Sequence, residues 1–148
     1  MQVLNLHNCG LGEEGLKKIT SHLEKLENKD SLISLNLSKN RINIICPEFC
    51  TLFSQFTNLR EFILNANTIE EKSMSQFLKS VENRSLEVLN LTDNFVCGEA
   101  IEHLGSLFLK NTIKELYLQD IKVDKGDINK LLGMLKTKKA TFQDLWIA

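Results

Sequence analysis

A right-handed α/β solenoid, with parallel strands on a concave face and helices on a convex one, is the fold class this chain predicts. Three observations predict it. The eleven-residue phrase LxxLxLxxNxL recurs at Met1–Leu11, Leu32–Ile42, Leu59–Ile69, Leu86–Val96 and Ile113–Val123, and a sixth copy opens at Phe142. Successive copies start 31, 27, 27, 27 and 29 residues apart, by subtraction of those positions. Between the phrases, apolar residues recur at helical spacing. Phrase and period together specify a leucine-rich repeat horseshoe, whose repeats are each too small to bury an apolar face alone and therefore stack.

Each phrase opens with a short strand. Leucines at its fourth and sixth positions point into the core, and side chains at the fifth and seventh point to the inner face. The ninth position, Asn40, Asn67 or Asn94, falls where the chain leaves the strand, and its amide is expected to satisfy backbone groups that the bend leaves unpaired. Cys9 holds that position in the first phrase and Ile121 in the fifth, where the polar ladder should weaken.

Helical stripes follow in order. They are Leu16, Ile19, Leu23 and Leu26; then Phe49, Leu52, Phe53 and Phe56; then Met74, Phe77, Leu78 and Val81. Ile101, Leu104, Leu107 and Phe108 come next, then Ile128, Leu131, Leu132 and Leu135. Each stripe gives one apolar face for the back of the sheet. Gly10 and Gly12 read as the turn out of the first strand. Glu13-Glu14 and Lys136–Lys139 read as helix ends whose charges complement the helix dipole. Residues 1–148 are expected to form one domain, five full repeats and a partial sixth, belonging to a longer solenoid. The reason is that Leu4, Leu6 and Leu11 at one end, and Leu145 and Ile147 at the other, would otherwise stand open.

Composition narrows function. A net charge of −1, with lysines interspersed among acids, favours neither nucleic acid nor an anionic membrane as partner. No apolar run approaches the roughly 18 residues of a membrane span. The chain opens directly on a repeat strand without a basic n-region, and Cys9, Cys46, Cys50 and Cys97 lack a disulfide-framework spacing, so a reducing, cytoplasmic setting is expected. The sequons at Asn36, Asn83 and Asn90 are then incidental.

Stand-alone catalysis finds no support. His7, His22 and His103 lie in different repeats without metal-type spacing, and Cys46-Pro-Glu-Phe-Cys50 has no second thiol pair to complete a zinc site. Cys9-Gly10-Leu11-Gly12 lacks the glycines and lysine of a phosphate loop. No metal and no cofactor are expected. The inner face instead mixes small polar side chains with Ile63, Tyr117 and Trp146, the composition of a protein-binding surface. Its Asn and Thr residues read equally well as plain solvated strand positions.

The ordered phrases resemble the GTPase-activating proteins of the Ran GTPase. LNLHNCGLGEEGLKKI is similar to that family's strand, its Asn-Asn-Cys/Asn-Gly turn and the amphipathic helix after it. Ser38-Lys39-Asn40-Arg41-Ile42 resembles its Gly-Arg-Asn-Arg-Leu, and LREFILNANTI, LEVLNLTDNFV and IKELYLQDIKV follow its next repeats in order. The lengthened first connection falls where the family also lengthens.

The resemblance implies catalysis by assistance. The family presents an asparagine that orients the GTPase's own glutamine, without the arginine finger most such activators use. By motif, Asn8 matches that asparagine. Arg41 matches a family arginine on the same rim, and Lys39 replaces a second one, keeping the charge but losing the bidentate fork. The family's upstream repeats and acidic tail have no counterpart here. A Ran-type small GTPase in its GTP form is thus the implied partner, met through Asn8, Lys39, Arg41, Asn65, Asp93, Tyr117 and Trp146. The alternative is a non-catalytic scaffold or inhibitor that binds another protein through Tyr117, Trp146 and the asparagine column.

Overall fold

A computed structural model describes residues 1–110 and 113–137 and the backbone of residues 144–146. Six strands form one open parallel sheet in chain order: β1 (Val3–Asn5), β2 (Ser34–Asn36), β3 (Glu61–Ile63), β4 (Val88–Asn90), β5 (Glu115–Tyr117) and β6 (Asp144–Trp146). Five helices alternate with them: α1 (Gly12–Leu23), α2 (Pro47–Phe53), α3 (Glu71–Val81), α4 (Glu99–Lys110) and α5 (Lys125–Thr137). Each strand pairs with the next at equal repeat positions, Val3 with Ser34, Ser34 with Glu61, Glu61 with Val88, and Val88 with Glu115. The eleven-residue phrase therefore sets the sheet register.

The core lies between sheet and helices. The fourth and sixth phrase positions, from Leu35 and Leu37 through Leu116 and Leu118, are buried, and Leu4 and Leu6 of the first repeat pack partly covered against them. At the centre, Phe62 of β3 meets Phe49 and Phe53 of α2 and Phe77 of α3, with ring centroids 4.8–6.3 Å apart. Short α2 is anchored by these aromatic contacts, because seven residues are too few for a helix to persist on propensity alone.

Two stripe residues depart from expectation. Helix α1 stops at Leu23, so Leu26 falls in the turn beyond it and is 36% exposed. In α5, Leu131 is buried but Leu132 is 38% exposed; the two lie about 100° apart around the helix, and only Leu131 faces the core.

The asparagine ladder forms as a chain of inter-repeat bonds. Asn67 Oδ1 accepts the backbone N–H groups of Asn40 at 2.9 Å and Ile42 at 3.2 Å in the preceding repeat. Its Nδ2 donates to Leu64 O at 2.9 Å and across to Leu37 O at 3.0 Å. Asn40 serves Cys9 N, Leu11 N, Leu6 O and Leu37 O in the same way, and Asn94 serves Ile69 N, Leu64 O and Leu91 O. At Ile121 no amide is available, and a backbone bridge between Phe95 and Lys122 stands at that turn instead. Replacing Asn67 with Ala should cost about 3 kcal/mol or more, because several buried backbone groups lose their partner together. Urea unfolding checks this; an unshifted midpoint would refute it.

Candidate functional site

The chain turns off each of the first five strands through a left-handed residue at the eighth phrase position: Asn8 (φ 55°), Lys39 (φ 54°), Ala66 (φ 55°), Asp93 (φ 56°) and Asp120 (φ 51°). Gly10, Arg41 and Thr68, at the tenth position, are left-handed as well. Such backbone favours Gly, Asn and Asp, and Asn8, Gly10, Asp93 and Asp120 hold four of these eight places, while Lys39, Arg41, Ala66 and Thr68 are the exceptions.

 The enrichment of Asn, Asp and Gly at these turns was the sequence signal for this geometry.

The turn geometry sends the eighth-position side chains outward along one rim. Asn8, Lys39, Asp93 and Asp120 are all exposed, as is Arg41 two residues further on. The Asn8 backbone N–H donates to Ser38 O at 2.9 Å, which ties the turn to the second repeat. Among the described residues its side-chain amide takes part in no hydrogen bond, and Lys39 and Arg41 form no ion pair. Beside Asn8, His7 Nδ1 lies 2.7 Å from Ser38 Oγ. Because the Ser38 hydroxyl donates to Asn36 Oδ1 at 2.6 Å, His7 Nδ1 is the donor to Ser38.

The expected partner-binding residues therefore divide between two surfaces. Asn8, Lys39, Arg41 and Asp93 share the rim. Asn65 and Tyr117 lie on the open face of the sheet, both half-buried, and the Tyr117 hydroxyl donates to Glu115 Oε2 at 2.7 Å. Trp146 pairs in backbone register with Tyr117, and its side chain lies outside the described residues.

In the asparagine column of the inner face, Asn5, Asn36 and Asn90 each accept through Oδ1 the backbone N–H two residues on, from His7 at 3.0 Å, Ser38 at 2.9 Å and Thr92 at 3.0 Å. They are local turn-forming residues, a role open to Asn because its carbonyl reaches its own backbone.

The cysteines are free thiols, Cys9 exposed and Cys46 buried. Burial raises the Cys50 pKa, and burial together with the nearby Glu71 carboxylate pushes Cys97 up to about 11, so both remain neutral at physiological pH. His22 bonds Lys18 O and His103 bonds Glu82, each apart from His7. Among the described residues no group of three or more His, Cys, Asp or Glu stands where it could hold a metal, and no helix is long and apolar enough to cross a membrane.

Among known families, the Leucine Rich Repeat profile matches residues 31–52, which is the second phrase and most of α2. A comparison with curated proteins gives no match. With the parallel sheet and alternating helices, the match establishes leucine-rich repeat character and an α/β solenoid.

The left-handed turn predicts a split between two substitutions at one position. Asn8→Gly should leave stability unchanged or slightly raised, whereas Asn8→Val should cost about 1–2 kcal/mol, because a β-branched residue is strained there. Thermal unfolding of the pair measures it; equal melting temperatures would refute the strain.

Proposed function

We propose that this chain is a protein-interaction module that stimulates GTP hydrolysis by a Ran-type small GTPase, engaging the GTP form through the rim that carries Asn8, Lys39 and Arg41. The observation that carries the reading is the Asn8 amide, exposed and free of any hydrogen bond among the described residues. A primary amide can donate and accept at once, as orienting another amide requires. Lys39 and Arg41, exposed on the neighbouring turn, supply positive charge beside it for a nucleotide-bearing partner. The resemblance of the ordered phrases to the Ran activators supplies the identity of the partner.

A second reading has its own support. The left-handed turn favours Asn at residue 8 for backbone reasons alone, and a non-catalytic scaffold or inhibitor would use the same rim to bind. The two readings differ in turnover. An activator acts at substoichiometric amounts and only on the GTP-bound partner; a scaffold need do neither.

Single-turnover GTP hydrolysis by a Ran-type GTPase tests the role of Asn8. Asn8→Ala should lower the stimulated rate on the order of a hundredfold. Ala66 already occupies the equivalent left-handed position, so the turn accepts alanine. Asn8→Gly, which removes the amide without backbone strain, should lose as much. Unchanged rates in both variants would remove Asn8 from the mechanism and leave the scaffold reading.

Arg41→Ala should weaken GTPase binding about two- to fivefold at low ionic strength and by less at high salt, because exposed charges are screened. Titration at two salt concentrations measures this, and equal losses at both would assign Arg41 no electrostatic part.

A further inference from the structure

We propose that the cleft where α3 and α4 begin is a binding site for an aliphatic polyamine, whose ammonium groups are held by the Ser75 hydroxyl together with the carboxylates of Glu70, Glu71 and Glu99. This site goes beyond the activator reading and shares no residue with the rim that carries Asn8, Lys39 and Arg41.

The cleft has a volume of about 480 Å³ and is lined by Glu70, Glu71, Lys72, Ser75, Gln76 and Glu99. Acids in a first helical turn complement the helix dipole, which by itself accounts for Glu71 and Glu99. It does not account for Ser75. That residue is only 7% exposed, and among the described residues its hydroxyl has no hydrogen-bond partner. The other buried polar side chains, Thr20, Ser38, Asn40, Asn67, Ser73 and Asn94, are all bonded. Among the described residues no side-chain oxygen is both sealed from solvent and unbonded, so the Ser75 hydroxyl opens into the cleft it lines. A mostly covered hydroxyl without a partner costs free energy until a polar group meets it.

Charge, donor count and size define the occupant. Three carboxylates share the cleft with one ammonium, that of Lys72, and none of these four groups forms an ion pair among the described residues. Glu71 and Ser75 lie one turn apart on the same face of α3. Glu71 also reaches over Gly98, whose missing side chain leaves room for the carboxylate beside the start of α4. A primary ammonium carries three donors and no acceptor, so one hydroxyl oxygen and two carboxylate oxygens satisfy it. A bare metal ion needs a convergent oxygen shell at about 2.0–2.6 Å. Among the described residues no group of three or more His, Cys, Asp or Glu stands where it could hold one. The volume lies instead within the range of small organic ligands, about 300–1,000 Å³. A flexible chain with ammonium groups at both ends reaches the carboxylates of both helices.

The test titrates the whole isotope-labelled chain, at fixed ionic strength, with spermidine, with a neutral diol of matching length and with magnesium chloride. Spermidine should shift the amide signals of residues 70–76 and 98–100 saturably, and the diol should not. Ser75→Ala leaves every charge in place and should weaken spermidine on the order of fivefold to tenfold, as expected when a hydrogen bond to a charged group is lost. Glu99→Gln, which removes one carboxylate at an exposed position, should weaken it about twofold to fivefold. Absence of saturable shifts, shifts spread over acids elsewhere, or unaltered affinity in Ser75→Ala would each overturn the proposal. Equal shifts from magnesium would overturn it too, by showing that charge alone is recognised. Hydrolysis is read separately through Asn8, so this site and the activator reading fail independently.

Discussion

The buried side-chain amide at the ninth phrase position is the interaction on which the rest of the structure depends. Asn40, Asn67 and Asn94 are nearly inaccessible to solvent, and each joins the end of its own strand to the turn of the repeat before it. Stacked leucines alone would tolerate sliding and rotation between repeats, since apolar burial is non-directional. The amide bonds are directional. They fix the path of the chain as it leaves each strand, and with it the left-handed residue just before.

The rim follows from that constraint. With the turn set, the eighth-position residues Asn8, Lys39, Asp93 and Asp120 are exposed along one rim, and the small Ala66 between them is half-buried. The scaffold fixes where these groups stand, and the residue at each place is free to encode recognition. Thr68 shows the cost of the geometry: a β-branched residue in left-handed backbone, held by bonds from its hydroxyl to Asn67 O at 2.6 Å and Asn43 Oδ1 at 3.3 Å.

The open face obeys a different rule. At the fifth position of the first, second and fourth repeats, the Asn carbonyl closes on its own backbone. Ile63 and Tyr117 replace it in the third and fifth repeats, so larger side chains appear where the local turn bond is absent. Turn-closing amides and larger side chains therefore alternate along one column.

The strands, their parallel register, the alternating helices and the amide ladder were all legible in the chain, because a repeating phrase states the same local solution several times and any one copy checks the others. Helix ends were less legible: Leu26 continues the apolar spacing of α1 past its last turn, since periodicity does not mark where hydrogen bonding stops. Tertiary structure alone decided which polar side chains were already spent. Asn36 and Asn8 look alike as letters, yet Asn36 accepts a backbone proton and Asn8 stands free among the described residues, because bond partners depend on backbone dihedrals that no spacing reveals. It likewise decided that Glu61 meets the Ser34 hydroxyl while Glu87 meets Lys114, a difference set by neighbours 27 residues away in the chain and one repeat away in space.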